Sequence, residues 1–173
     1  MTPSRAIPSA LLVAMLLAGL AGCGNYTMEN QYRTGISTVS VPIWTRGKDV
    51  YRRDLEQPLT EAITKRIEQD TPYKIVGKDK ADTELTGKIV RIEQQVLSRN
   101  PDTGLARDLE ATFILAFTWK DLRTGKILKQ HSNFRVADTY ITESPISEDF
   151  FQGSEAVINR VARRIVEQME ADW

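Results

Sequence analysis

The stretch "LEATFILAFTWK", from Leu109 to Lys120, decides the fold. Its odd-numbered residues are apolar without a break, and strict alternation of this kind predicts a β-strand with one face toward a core. On both sides lie segments rich in turn formers, "SRNPDTG" (98–104) and "DLRTGK" (121–126). Such segments predict hairpins, so this strand is expected to lie between two antiparallel neighbours.

The strand before it, from Thr83 to about Leu97, changes phase midway. Leu85 and Ile89 occupy odd positions, whereas the later apolar residues, Val90, Ile92 and Val96, occupy even ones. A period-2 pattern that slips by one residue predicts a β-bulge or a strong local twist near Ile89–Val90. In the strand after it, Leu128, Phe134 and Val136 are expected on the core face.

Further from the central stretch, the sequence alternates between short strands and helices. Apolar residues at helical spacing predict two amphipathic helices, and short apolar runs predict two more strands. The predicted elements are a strand over Val39, Val41 and Ile43, a helix from Arg53 to Gln69, a strand Tyr73–Val76, and a helix from Ser147 or Ser154 to Met169. The expected fold class is α+β, a two-layer sandwich of two α-helices packed on one face of a four-stranded mixed β-sheet.

The amino-terminal segment "LLVAMLLAGLAGCGN" (11–25) contains the only cysteine of the chain. A positive start at Arg5, an apolar middle and a small-residue end are typical of a secretory signal peptide. The tetrad ending at Cys23 resembles a bacterial lipobox, which implies a diacylglycerol on the sulfur and cleavage before it. The chain is therefore divided into a lipoprotein signal peptide (1–22), a lipidated tether (23–36) and a single domain (37–173). Gly24, where inner-membrane signals have Asp, favours the outer membrane.

Composition and missing motifs limit the function. The 23 basic and 23 acidic residues balance, which argues against nucleic-acid binding. His131 is the sole histidine, and no serine lies in a nucleophile-elbow pattern. The sequence predicts a non-enzymatic protein with no cofactor and no metal, and argues against a lipoprotein hydrolase.

If the helices cover one face of the sheet, the other face carries basic residues. Those expected there are Arg91, Lys120, Lys129, His131 and Arg135, with Arg99 and Arg107 flanking the hairpin tip. Arginine and lysine bind phosphate through charge-assisted hydrogen bonds, so phosphorylated glycolipids suit this surface. A solvated outer face has a similar composition, and the sequence leaves both interpretations open.

The order of several segments resembles the lipopolysaccharide-assembly lipoprotein family LptE. They are "CGNY", "VSVPIW", "LEQPLTEAITKRI", "TPYKIVGKDKADTELTGKI", "FTWKDLRTGKIL" and the closing amphipathic helix. The resemblance implies an outer-membrane lipoprotein on the periplasmic side. It implies that the protein plugs and helps assemble an LptD-like β-barrel and assists lipopolysaccharide delivery to the outer leaflet. It also assigns lipopolysaccharide binding to Arg99 in "SRN"; the family's second basic position, before the last helix, has no counterpart in "ITESPIS" (141–147).

The order of strands and helices leaves a second function open. Periplasmic adaptor lipoproteins that activate a peptidoglycan synthase or build a secretion pore also begin with strand, helix and strand. Co-purification with a barrel, a synthase or a homo-oligomeric ring distinguishes these interpretations.

Overall fold

The computed structural model describes residues 32–51, 54–141 and 149–170. The predicted signal peptide, Cys23, most of the tether and the predicted helix start at Ser147 lie outside these ranges.

The described chain forms one mixed sheet and two long helices. The strands are β1 Thr38–Ser40, β2 Thr45–Arg46, β3 Lys74–Ile75, β4 Thr83–Arg99, β5 Ala106–Asp121 and β6 Ile127–Ile141. Their order in the sheet is β3-β1-β4-β5-β6, and β2 also pairs with β4. β1 pairs in parallel with β3 and β4, and β2 pairs in parallel with β4. β5 is antiparallel to both β4 and β6, as the flanking turns predict.

The sheet has six strands, so the expected count of four is wrong. The predicted first strand stops at Ser40, before Pro42, and pairing with β4 resumes only at Thr45. Proline has no N–H to donate to a neighbouring strand, and its position matches this interruption. Ile43, expected on the core face, is 67% exposed, and Trp44 is buried instead.

The two helices are α1 Glu56–Asp70 and α2 Asp149–Glu167. Pro58 lies in the first turn of α1, where its missing N–H has no intrahelical acceptor. Their buried residues share a core with one face of β5. From the helices these include Leu59, Ile63, Ile67, Val157, Val161 and Ile165; from β5 they are Ala111, Phe113, Leu115, Phe117 and Trp119. The α+β class with two helices and a mixed sheet is confirmed.

The predicted bulge in β4 is confirmed. Ile89 pairs with Leu115 and Arg91 pairs with Ile114, which leaves Val90 as the extra residue. Beyond the bulge, Ile92 pairs with Phe113, on the side that the helices cover.

A bulge in the middle of β6 was not predicted. Phe117 pairs with His131, whereas Leu115 pairs with Phe134, so Ser132 and Asn133 together oppose one residue of β5. Directly opposed residues of antiparallel strands point to the same face. His131 therefore lies on the helix side, and its ring contacts Phe117 and Phe134 at centroid distances of 5.0 and 5.2 Å.

Lys129 lies on the same side as His131, because it pairs with Trp119. The expectation that Lys129 and His131 belong to the outer face is therefore wrong. The bulge explains the error. It lies between His131 and Arg135 and adds one residue, so these two odd-numbered residues point to opposite faces of the sheet.

The ring of Trp44 packs directly against Gly87 of β4. A Cβ atom at Gly87 would lie 2.4 Å from the Trp44 ring, and the ring is 1% exposed. The backbone N–H of Trp44 donates to Thr60 Oγ1 of α1 at 3.0 Å. The glycine of "LTGK" is therefore required by packing between the β1–β2 segment and β4.

Candidate functional site

The sheet has two distinct ends. We call the base the end at which β4 begins and β5 ends, and the tip the end at the β4–β5 turn. The Tyr32 hydroxyl donates to the carbonyl of Asp70, the last residue of α1, at 2.7 Å. Tyr32 also bridges to Glu170 beyond α2, so both helices end at the base.

The tip is a hairpin closed by Asn100, as the segment "SRNPDTG" predicts. The Asn100 side-chain oxygen accepts hydrogen bonds from the backbone N–H groups of Asp102 and Thr103. Gly104 adopts a φ of +67°, a conformation that favours glycine. Arg99 Nη1 donates to the Gly104 carbonyl at 3.1 Å, and its side chain remains exposed beside the turn.

Four exposed aliphatic residues surround the tip, and the sequence analysis missed them as a group. They are Val96, Leu97, Leu105 and Ile141, between 39% and 61% exposed. The register brings them to one end, because Val96 pairs with Leu109 and Ile141 pairs with the neighbouring Asp108. Exposed Arg99 and Arg107 lie nearby, so the tip places two arginines beside an apolar surface.

The middle of the outer face carries a compensated charge cluster. Arg91 and Arg135 flank Ile114 across three strands. Glu93 lies 2.9 Å from Arg135 and 3.6 Å from Arg91. Ile114 is 3% exposed although it faces away from the helices, which fits coverage by long arginine side chains.

The six predicted lipopolysaccharide-binding residues do not form one stripe. Arg99 and Arg107 lie at the tip, and Arg91 and Arg135 lie in the middle of the outer face. Lys120 is near the base, opposite Glu84, and Lys129 is on the helix side. The partners of Arg99 and Arg91 are eight residue steps apart on β5, which corresponds to about 27 Å along the strand.

Asp82 is the centre of a hydrogen-bond network at the base. Its Oδ2 accepts from the backbone N–H groups of Ser37 and Thr38 at 2.9 and 3.0 Å and from the Thr38 hydroxyl. Its Oδ1 lies 3.6 Å from Arg123. The hydrogen bond from Ser37, followed by that from the Thr38 hydroxyl, lowers the pKa of Asp82. The "ADT" segment thus joins the starts of β1 and β4 to the β5–β6 turn.

Asp121 closes that turn from the other side. Its Oδ1 accepts from the backbone N–H groups of Thr124 and Arg123 at 3.0 and 2.8 Å. These bonds, with that from Thr124 the largest contribution, lower the pKa of the Asp121 carboxyl. The carboxylates at the base are thus engaged in holding backbone segments together.

Neither a metal cluster nor a spanning helix is found within residues 32–51, 54–141 and 149–170. These ranges contain no group of three or more His, Cys, Asp or Glu residues that could hold a metal ion. Their helices are too short or too polar to cross a membrane.

The fold is similar to several solved structures at low sequence identity. A protein from Xanthomonas campestris superposes with a TM-score of 0.51 at 12% identity, covering 82% of this chain and 90% of that one. The PelC dodecamer subunit from Paraburkholderia phytofirmans gives 0.50 at 10% identity, covering 83% and 96%. Rare lipoprotein B from Shewanella oneidensis gives 0.45 at 18% identity, covering 77% and 93%. At these identities the likeness concerns the fold alone.

The sequence itself identifies the family. No curated protein matches the chain, but a family model described as "LptE: Lipopolysaccharide-assembly" matches residues 36–173. The match includes all six strands and both helices, and it agrees with the resemblance seen in the sequence segments. The chain belongs to the LptE family of lipopolysaccharide-assembly proteins.

Proposed function

We propose that this protein is an outer-membrane lipoprotein, anchored through acylated Cys23 on the periplasmic side. It plugs and helps assemble an LptD-like β-barrel and assists lipopolysaccharide delivery to the outer leaflet. The observation that carries the proposal is the family match over residues 36–173. The protein acts by binding and not by catalysis.

The tip is the best-suited lipopolysaccharide contact. Lipopolysaccharide presents phosphates next to acyl chains, and the tip presents Arg99 and Arg107 next to four exposed aliphatic residues. The middle of the outer face suits an acyl chain less well, because Ile114, which lies between Arg91 and Arg135, is only 3% exposed. We therefore assign the principal contact to Arg99 and Arg107, with Arg91 and Arg135 secondary.

The barrel partnership is tested by purification of the mature protein from outer membranes in mild detergent. We expect a stable complex with a β-barrel of outer-membrane size, identified by mass spectrometry. Recovery of a peptidoglycan synthase or of a homo-oligomeric ring, without a barrel, would support the adaptor interpretation and overturn this proposal.

Reversing two charges at the tip should weaken lipopolysaccharide binding. Hydrogen bonds to charged groups contribute about 1.5–3 kcal/mol each, so losing two of them in Arg99→Glu with Arg107→Glu should lower the affinity by at least about 100-fold. Arg135→Glu should have a smaller effect. Binding is measured with purified lipopolysaccharide, and the unfolding midpoint is measured in parallel.

The control is Arg163→Glu at an exposed position of α2, which makes the same charge change as Arg135→Glu. It should leave the affinity unchanged. Equal binding by all four proteins would mean that the basic residues of the tip and outer face are only a solvated surface.

A further inference from the structure

β6 forms one edge of the sheet. It lies at the end of the strand order, beside β5, and no other strand within residues 32–51, 54–141 and 149–170 pairs with it. It has 15 residues, whereas β3, at the opposite edge, has 2. An edge strand presents a row of backbone N–H and C=O groups with which a further strand can pair. β6 therefore offers a long edge to an incoming strand.

The second half of β6 lacks the usual protection of an edge. Natural edge strands are guarded by lysines, prolines or bulges. The first half of β6 has both Lys129 and the bulge at Ser132–Asn133. Residues 134–141, with the sequence "FRVADTYI", contain no lysine and no proline, and their pairing with β5 has no register shift. We call residues 134–141 the open edge.

The two charged residues of the open edge are compensated within the molecule. Arg135 Nη2 lies 2.9 Å from Glu93 Oε2 of β4. Asp138 Oδ2 lies 2.6 Å from Arg160 Nε of α2. Because each charge has an opposite charge beside it, neither is available to repel an approaching strand.

From these features we infer that the free protein pairs with a second copy of itself through the open edge. The two β6 strands run antiparallel about a two-fold axis perpendicular to the sheet, and the helices of both copies lie on the same side. Pairing covers an edge that would otherwise be an aggregation hazard. The inference depends neither on acylation of Cys23 nor on a barrel partner, and it goes beyond the proposed function.

The sequence of the open edge selects one register. Directly opposed residues of antiparallel strands share a face, so the axis lies between two copies of the same residue. An axis at Ala137 opposes residues 134–140 of the two copies, and an axis at Asp138 opposes residues 135–141; an axis elsewhere opposes fewer residues or enters the bulge. The axis at Asp138 would place two carboxylates opposite each other, which is destabilising. The preferred axis is therefore at Ala137.

This register also brings favourable residues together. Phe134 and Tyr140 both lie on the helix side, because they pair with Leu115 and Leu109 of β5. With the axis at Ala137, Phe134 of one copy is opposite Tyr140 of the other, and aromatic cross-strand pairs stabilise sheets. No like charges are opposed in this arrangement.

Disulfide formation between introduced cysteines tests the register. The mature chain carries Cys23→Ser, which removes its single natural thiol. Ala137→Cys places two thiols at the axis, where opposed Cα atoms are about 4.5–5.5 Å apart, within the range for a disulfide. The matched control is Thr139→Cys, which is also exposed and on the same face, but whose two copies would lie about 13 Å apart. Under mild oxidation, Ala137→Cys should form a linked dimer at least several-fold faster than Thr139→Cys.

Sedimentation velocity over a range of protein concentrations tests the association without a cross-link. Ala137→Lys places two lysines at the axis and should abolish the dimer, whereas Gln130→Lys, exposed on β6 but outside the open edge, should not. The unfolding midpoints of both variants are measured in parallel to show that the fold is retained.

Three results would overturn the inference. They are a wild-type protein that stays monomeric at all concentrations, equal rates of cross-linking at positions 137 and 139, and cross-linking of Ala137→Cys to a different envelope protein in place of a second copy. None of these measurements involves the lipid anchor or a barrel complex, so their failure is distinguishable from failure of the proposed function.

Discussion

Replacing Gly87 with alanine is expected to lower the free energy of unfolding by about 2–3 kcal/mol, because overpacking a tight core forces side chains and backbone to shift. The added Cβ would lie 2.4–2.5 Å from three atoms of the Trp44 ring. That ring is fully buried and packs near Phe117. The strain cannot be relieved by a flexible side-chain end.

The measurement is urea denaturation of the variant and of a matched control, Gly77→Ala. A Cβ at Gly77 meets nothing within 4 Å, and its φ of −64° suits any residue. The control should therefore be neutral or stabilise by about 0.4–1 kcal/mol through the unfolded chain.

A double-mutant cycle assigns the cost to one contact. Trp44→Ala alone should lower the free energy of unfolding by about 3–5 kcal/mol. Adding Gly87→Ala to that variant should cost little further, because the clashing ring has been removed. Equal costs of Gly87→Ala with and without Trp44 would contradict the packing explanation.

Replacing Asp82 with alanine is expected to lower the free energy of unfolding by about 2–3 kcal/mol, since hydrogen bonds to a charged acceptor are worth this much and unpaired partners add a penalty. The substitution removes the acceptor of Ser37 and Thr38 and a partner of Arg123. The exposed Asp79, three residues earlier, supplies the control Asp79→Ala, which should change little.

The same carboxylate predicts a pH dependence with a definite sign. The pKa of Asp82 is lowered in the folded protein, so its charged form is stabilised by folding. Its contribution should be present in full above the unfolded value of about 3.9 and lost as the pH falls through the lower folded pKa. The difference in unfolding free energy between wild type and Asp82→Asn should accordingly shrink below about pH 4. A difference that stays constant as the pH falls well below about 4 would contradict the assignment.

The strands that carry apolar residues on one face were predictable from sequence. The bulge at Val90 was predicted because the apolar residues change from odd positions, Leu85 and Ile89, to an even position, Ile92. The bulge at Ser132–Asn133 was missed because Lys129, His131, Asn133 and Arg135 form one continuous alternation of polar residues in the sequence. β2 was missed because both of its residues are exposed and so leave no apolar pattern.

The candidate site was predictable only residue by residue. Arg99 was placed at the hairpin by its turn sequence, and the structure has it there. The separation of the tip from Arg91 and Arg135, and the pairing of both arginines with Glu93, depend on register between distant strands. The apolar character of the tip likewise arises when Val96, Leu105 and Ile141 are brought together from three segments, and none of these segments indicates it alone.

The bulges at Val90 and at Ser132–Asn133 limit which insertions and deletions the strands can accept. Val90 is the extra residue of its bulge, so its loss would leave a regular strand in which Ile89 and Ile92 still pair on the helix side and Arg91 still faces outward. Loss of a residue beyond the bulge, such as Glu93, would instead send the residues after it to the opposite face while the bulge persists. A substitution on the same strand alters one side chain, whereas such a deletion alters all of those beyond it. Relatives are therefore expected to vary freely in residue type on the outer face while preserving the number of residues between each bulge and the adjacent turn.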